Sequence, residues 1–597
     1  MIGKVSCLIL LGVVSIAGTT HAAVTVSISP GYTQLVAPNT LQFTAQVSGN
    51  GNTDVIWEVD NAIGGNSAYG TITASGLYTP PAKLPSPALV TVTAVAKADP
   101  AASATAAVTL LPQAPAGSTY YVAPDGDDHA SGSIDAPWAT IQHAADTASA
   151  GDTVLVRQGA YNEHVQLHRS GNAAQGFITF QNYPGETAVL DGTGLDIPGG
   201  QWGLFTFDNV SNLIVSGFEL RNYQTNSRNK VPIGVYVFGA GKELQIVNNR
   251  IHDIATTAKT NPNQCGSNAF GLTVYGSRAP AAIEEIAIAG NELSDLHTGC
   301  SETLSLNGNV KNFAVLNNLV HDDDNIGIGA IGFEKVSPDP TYDQARDGVI
   351  RGNIVYNITS YGNPDYGKQY AADGIYIDGG TNIIVEQNLI HHVDLGIELA
   401  SEHQGRTSSF VTARNNIVYE GNSAGISIGG YAAKRGGTDH CVIVNNTLYA
   451  NDTKKTGSGE FQIQFNATNN VFENNILYAG PQNLFVNDFT DSSPDPAALD
   501  YNLYFSPDGA DKGEWTWQKK TYRGFDIYRD ATGLDSHGLF ADPEFVSLGE
   551  PPDLDIGASS PARNAGAVLG AGITGKYDFA GYRRVSRGKI NIGAYQH

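Results

Sequence analysis

Asp378 and Glu398 are the residues whose types and spacing best suit chemistry. They lie in Ala372–Arg406, which reads ADGIYIDGGTNIIVEQNLIHHVDLGIELASEHQGR. A pair of carboxyls can divide acid and base work, one staying protonated to serve a leaving oxygen while the other attacks or activates water. In Gly374–Asp378 (GIYID), Ile375 and Ile377 alternate with Tyr376 and Asp378; in Gly396–Ala400 (GIELA), Ile397 and Leu399 alternate with Glu398 and Ala400. Period two makes each a short strand, with aliphatic side chains on one face and Tyr376, Asp378 and Glu398 on the other.

Alignment with Gly425-Ile-Ser427-Ile-Gly429 gives two outward columns: Tyr376, Glu398, Ser427 and Asp378, Ala400, Gly429. Asp378 and Glu398 are then diagonal neighbours, with Cα atoms about 8 Å apart. Their carboxyls fall at about 5–6 Å leaning together and about 8–9 Å leaning apart, which spans both retaining and inverting glycosidase geometry. Gly379, Gly380, Ala400, Gly429 and Gly430 leave an open floor, and Tyr376 offers a face on which a sugar could stack. Asp373 has inward parity, so it caps the strand start or points at the turn. Glu334 follows the glycine-rich Asn325–Phe333 stretch, and Glu402, His403 and Arg406 follow the second strand. Arg406, Lys434 and Arg435 form a small basic group that suits a uronic acid. His403, Arg406, Lys434 or Tyr376 could supply the base for elimination. Hydrolysis, elimination or epimerisation, and a non-catalytic glycan-binding wall of solvated acids all stay open.

These strands need a scaffold that stacks them. From about residue 152 an Asn recurs, followed three residues later by His, Tyr or Phe, as in Asn249–His252, Asn318–His321, Asn353–Tyr356, Asn388–His391, Asn416–Tyr419, Asn446–Tyr449, Asn475–Tyr478 and Asn502–Phe505; Asn291–Ser294 is a weaker copy. Short aliphatic strands precede most of them. A repeat of this length without intervening helices is a parallel β-helix. Stacked Asn amides at the turns satisfy one another, and the His and Tyr residues form a stacked column rather than a relay of bases.

Residues 24–112 read as a separate β-sandwich, with alternating stretches Val24–Ile28, Leu41–Val47, Asp54–Val59, Leu89–Val95 and Ala104–Leu110. Residues 113–118 form a linker, and 119–597 the β-helix, with a helix over Ala139–Ala148 covering its open end. Residues 1–22 have the pattern of a secretory signal peptide, and no later stretch is apolar enough to span a bilayer. The expected location is therefore secreted or periplasmic. Net charge −24 with 15% charged residues disfavours nucleic acid as a partner; an oligo- or polysaccharide is expected instead. Cys265 and Cys300 could pair, leaving Cys441 free once Cys7 departs with the signal. No cofactor is expected. Asp125, Asp127 and Asp128 are either an acidic turn or a calcium site. Trp515 and Trp517 either wall the cleft or cover the end of the helix.

The repeat, with Asp578–Arg584 (DFAGYRR) and Ile590–His597 (INIGAYQH), resembles the right-handed parallel β-helix superfamily of polysaccharide lyases, epimerases and glycoside hydrolases. Ile375–Asp378, Gln387–His392 and Glu398 resemble the β-helical β-xylosidase family of glycoside hydrolases, which implies Asp378 as nucleophile and Glu398 as acid/base. The family's Trp after the Asp is Gly379 here. Ile72–Ala82 (ITASGLYTPPA) resembles bacterial Ig-like domains, which implies a spacer or adhesion role for residues 24–112. The acidic motif of calcium-dependent pectate lyases and the signature segment of alginate epimerases are both absent.

Overall fold

A computed structural model describes residues 24–49, 51–85, 88–99, 102–111, 117–262 and 264–596. The expected signal peptide and most of the expected linker lie outside the described residues. From Thr119 onward the chain winds through three long parallel sheets of 14, 13 and 13 strands, each strand pairing with its counterpart one coil away. This is a right-handed parallel β-helix. The aliphatic positions of every strand meet in one continuous core, from Val122 and Val154 to Tyr504 and Trp515.

The Asn residues form an unbroken ladder along the buried turn. Each Nδ2 donates to the Oδ1 of the next, from Asn249 to Asn291 (3.1 Å), through Asn353 to Asn388 (3.0 Å), and on to Asn475 and Asn502 (3.2 Å). Asn291, the weaker copy in sequence, is a full member. The ladder ends on Asp535, whose Oδ1 accepts from Asn502 at 2.9 Å. Beside it runs the ring column: His321, Tyr356, His391 and Tyr419 stack with centroids 4.8, 5.1 and 4.7 Å apart.

Both ends of the stack are covered. The N-terminal helix is shorter than expected, Ile141–Thr147, because Asp128 accepts the backbone N–H groups of Ala139 and Thr140, and the Thr140 hydroxyl accepts from His143. It lays Ile141, Ala144 and Ala145 into the core. A second helix, Phe525–Thr532, bounded by Gly524 and Gly533, was not legible as one; it buries Phe525 and Tyr528. Trp515 is fully buried and stacks on Tyr528 and Phe485, at 5.3 and 4.8 Å. Trp515 therefore covers the end of the helix, and Trp517 packs against the same core.

In residues 24–111, a five-stranded and a four-stranded sheet, with a further strand pair, enclose a separate core that includes Phe43, Trp57, Tyr78 and Val92. This unit rests on the C-terminal segment, where buried Glu58 pairs with Arg583 and Lys576. Cys265 and Cys300 are disulfide-bonded, and Cys441 is buried and free. Among the described residues, no helix is long and apolar enough to cross a membrane.

Candidate active site

The strands Asp373–Asp378 and Leu395–Ala400 pair in parallel, Tyr376 opposite Glu398 and Asp378 opposite Ala400. Ser427 lies opposite Glu398 on the next coil, followed by Gln462. This is the register expected from the repeat, and Asp378 and Glu398 share one wall of the third sheet as diagonal neighbours.

Their surroundings differ. Asp378 is 3% exposed, and its Oδ1 accepts the Glu402 N–H at 2.8 Å. Burial, then the charge of Glu402, pushes its carboxyl well above the usual range against that hydrogen bond. Glu398 keeps a partly open face. Burial pushes its carboxyl up to about 7, opposed by hydrogen bonds from Ser427 and Gln464. Gln464 Nε2 donates both to Glu398 Oε1 and, at 2.8 Å, to Ser427 Oγ.

Asp373, expected to be a structural acid, is a buried member of the wall. Burial and the neighbouring Glu398 hold its carboxyl well above the usual range, and its Oδ1 has no hydrogen-bond partner. Glu302 was missed in the sequence; burial pushes it up to about 7. Glu402 is raised by burial while Arg435 pulls it down. Carboxyls so crowded cannot all ionise, so the wall retains protons near neutral pH.

Tyr376 does not offer the expected stacking face. It is 6% exposed, its ring closed against Ile326 and Ala400, and its hydroxyl bonds the Glu402 carboxylate. Outward parity placed it on the wall, but packing along the wall buries the ring. Half-buried Phe238 and Tyr275 instead continue the Asp378 column upstream, through Asn307 and Ile331. Tyr275 lies three coils from Asp378, about 14 Å.

The loop residues close the other side. His403 Nε2 lies 2.8 Å from Glu334 Oε1. Arg406 lies over the Phe333 ring at 4.8 Å, and Arg435 over Tyr431 at 4.7 Å while donating to the Glu402 carbonyl at 3.2 Å. Lys434 is exposed beside them. One ligand atom each from Glu334, Asp378 and His403 lie within 4.8 Å of one another, so these three could hold a divalent cation. Asp125, Asp127 and Asp128 are no such group among the described residues: Asp127 holds His129 and Asp128 caps the helix start.

A sequence model described as Pel9A-like, right handed beta helix region matches residues 120–273. The uncharacterized protein YwoF of Bacillus subtilis strain 168 is 37% identical over 448 residues, covering 75% of this chain and 92% of YwoF. The chain belongs to the YwoF family. The Pel9A-like match covers the first part of its β-helix. Pectate lyase PEL9 of Emericella nidulans is 42% identical over 81 residues, 13% of this YwoF-family chain and 19% of PEL9. Among solved structures, XylC with xylose aligns at TM-score 0.45 and 13% identity, covering 80% of this chain and 98% of XylC. Pectate lyase Pel9A aligns at 0.44 and 14%, covering 80% and 96%.

Proposed function

We propose that this protein is an exported glycoside hydrolase that cleaves a polysaccharide at the wall carrying Asp378 and Glu398. The supporting observation is the pairing of a partly open Glu398, held up to about 7, with a buried Asp378 on the adjacent coil. Glu398 gives its proton to the leaving glycosidic oxygen as the C–O bond breaks. Asp378 acts once it has lost its own proton, a loss that burial and the Glu402 charge oppose and the Glu402 N–H favours; it then attacks the anomeric carbon or takes a proton from the attacking water. In the first route water then releases the sugar, and Glu398 recovers its proton from that water. Tyr376 and Arg435 act on Glu402, and Arg406, His403 and Glu334 line the rim. Phe238 and Tyr275 give a sugar ring a face upstream. The disulfide and the signal-peptide pattern support export. We read residues 24–112 as an Ig-like spacer.

Elimination on a uronic-acid glycan is the second reading. The local identity to PEL9, a pectate lyase, favours it, as do the two rim guanidiniums of Arg406 and Arg435, which lie over the Phe333 and Tyr431 rings. One assay separates the readings: a panel of neutral and acidic polysaccharides, followed for reducing ends and for unsaturated-uronate absorbance together. New reducing ends without the chromophore are expected. The chromophore instead would establish elimination, and binding without either product would establish a glycan-binding protein.

A further inference from the structure

A second group of ligand-type side chains lies away from the acid wall, on the corner next to the ring column. His392 follows His391 on the strand Leu389–Val393, and Glu420 follows Tyr419 on the next coil. His391 and Tyr419 are in register, so His392 and Glu420 occupy the same corner on successive coils. Both have left-handed backbones, φ 54° and 52°, and His392 Nε2 lies 3.1 Å from Glu420 Oε2. The third member comes from far along the chain. Glu550 lies in the connection between Phe545–Ser547 and Asp553–Ile556, an antiparallel pair whose Phe545 packs on Tyr449 and Tyr478 of the ring column. One ligand atom from each of His392, Glu420 and Glu550 lie within 4.8 Å of one another.

We propose that His392, Glu420 and Glu550 bind one divalent transition-metal ion of the zinc class, which ties the C-terminal hairpin to the coil stack. Charge and geometry both support this. Two carboxylates and one imidazole meet here, and the only cationic group paired with Glu420 among the described residues is that imidazole. Even a protonated imidazole balances only one of the two charges, whereas a divalent ion balances both. Donors held about 2.0–2.2 Å from zinc at tetrahedral angles lie about 3.3 Å from each other, close to the His392–Glu420 separation. Imidazole with two carboxylates suits a borderline ion better than calcium, which prefers an all-oxygen shell.

The neighbouring ring supports the same site. His391 Nδ1 lies 2.9 Å from His392 Nδ1, which leaves His392 Nε2 facing the glutamates. His391 is itself fixed between the rings of Tyr356 and Tyr419. A ligating imidazole is commonly oriented through its second nitrogen in this way. The site draws on three stretches that meet only in the folded chain, so metal binding and docking of the hairpin are coupled.

The test is a zinc titration of the full chain after chelator treatment, by calorimetry and by total metal content, with thermal melts alongside. His403→Ala removes the other candidate ligand group and serves as the comparison. Wild type and His403→Ala should each bind zinc at the corner and melt at a higher temperature with it. His392→Ala and Glu550→Gln should weaken that binding by more than about tenfold and lose the rise in melting temperature. Glu550 is exposed, so Glu550→Gln can report even if His392→Ala folds poorly. No zinc bound by wild type, undiminished binding in both corner variants, or loss of all binding in His403→Ala would each overturn the proposal.

Discussion

The asparagine ladder and the acid wall are built by the same repeat, one coil at a time, and both place side-chain oxygens where water is scarce. In the ladder every amide meets another amide or a backbone carbonyl, as when Asn388 donates to Asn416 and to Ile350 at 3.0 Å each. Donors and acceptors alternate, so stacking satisfies the column without limit. In the wall, Asp373, Asp378, Glu398 and Glu402 are all acceptors when ionised, and stacking makes each harder to ionise. The ladder is what the coil needs for stability. The wall goes against that need, and such conflict within an otherwise consistent repeat marks function.

The most direct way to break this contrast is to neutralise the wall. Asp378→Asn and Glu398→Gln should each lower kcat by about 1,000-fold, while the melting temperature holds or rises as like-charge repulsion is relieved. Full activity in either variant would remove the pair from the mechanism. The opposite pattern is expected in the ladder. Asn388→Ala takes away the acceptor of the Asn353 side chain and backbone N–H. It should cost about 3 kcal/mol of stability, read as a lower urea midpoint, with kcat per folded molecule unchanged.

The pH dependence sharpens the comparison further. Glu398 titrates at about 7 in the folded chain against an ordinary 4.5, so the folded state holds its proton more tightly than the unfolded one. Its contribution to stability is fully present below the ordinary value and is lost as pH rises through 7. Melting temperature should therefore fall between about pH 5 and pH 8, and Glu398→Gln should flatten that fall. The smallest effect belongs to Gln464. Its amide donates to Glu398 and lowers the carboxyl's pKa. Gln464→Leu should move the alkaline limb of the rate profile upward by less than about one pH unit; a downward move would assign Gln464 a different role.

Much of this was legible in the sequence because it is periodic. The Asn spacing marks the coil, and period-two alternation places Asp378 and Glu398 on one face before any coordinates are known. Residues outside the periodic stretches were missed, and two within them were misread. Glu302 precedes its strand, Leu304–Gly308, and Gln464 follows Phe461–Ile463; turns return both to the wall, and no alternation reports a turn's path. Asp373 begins its strand with inward parity, where an acid reads as a cap, yet it lies beside Glu398. Tyr376 was read correctly for face and wrongly for exposure, because an outward side chain on a solenoid can still be covered by its neighbours. The loop aromatics Phe333 and Tyr431, which hold Arg406 and Arg435, carry no repeat signal.

The covered ends of the stack bear on how the molecule behaves in a crowd. A parallel solenoid finishes at each end in a row of open backbone donors and acceptors whose spacing matches the start of another copy. Uncovered, such ends would let chains join end to end into filaments. Ile141–Thr147 packs over the first coil, and the Trp515, Phe525 and Tyr528 cluster closes the last. These covers hide the edges through which one stack could add to another, and they leave the long side of the coil as the surface offered to other molecules.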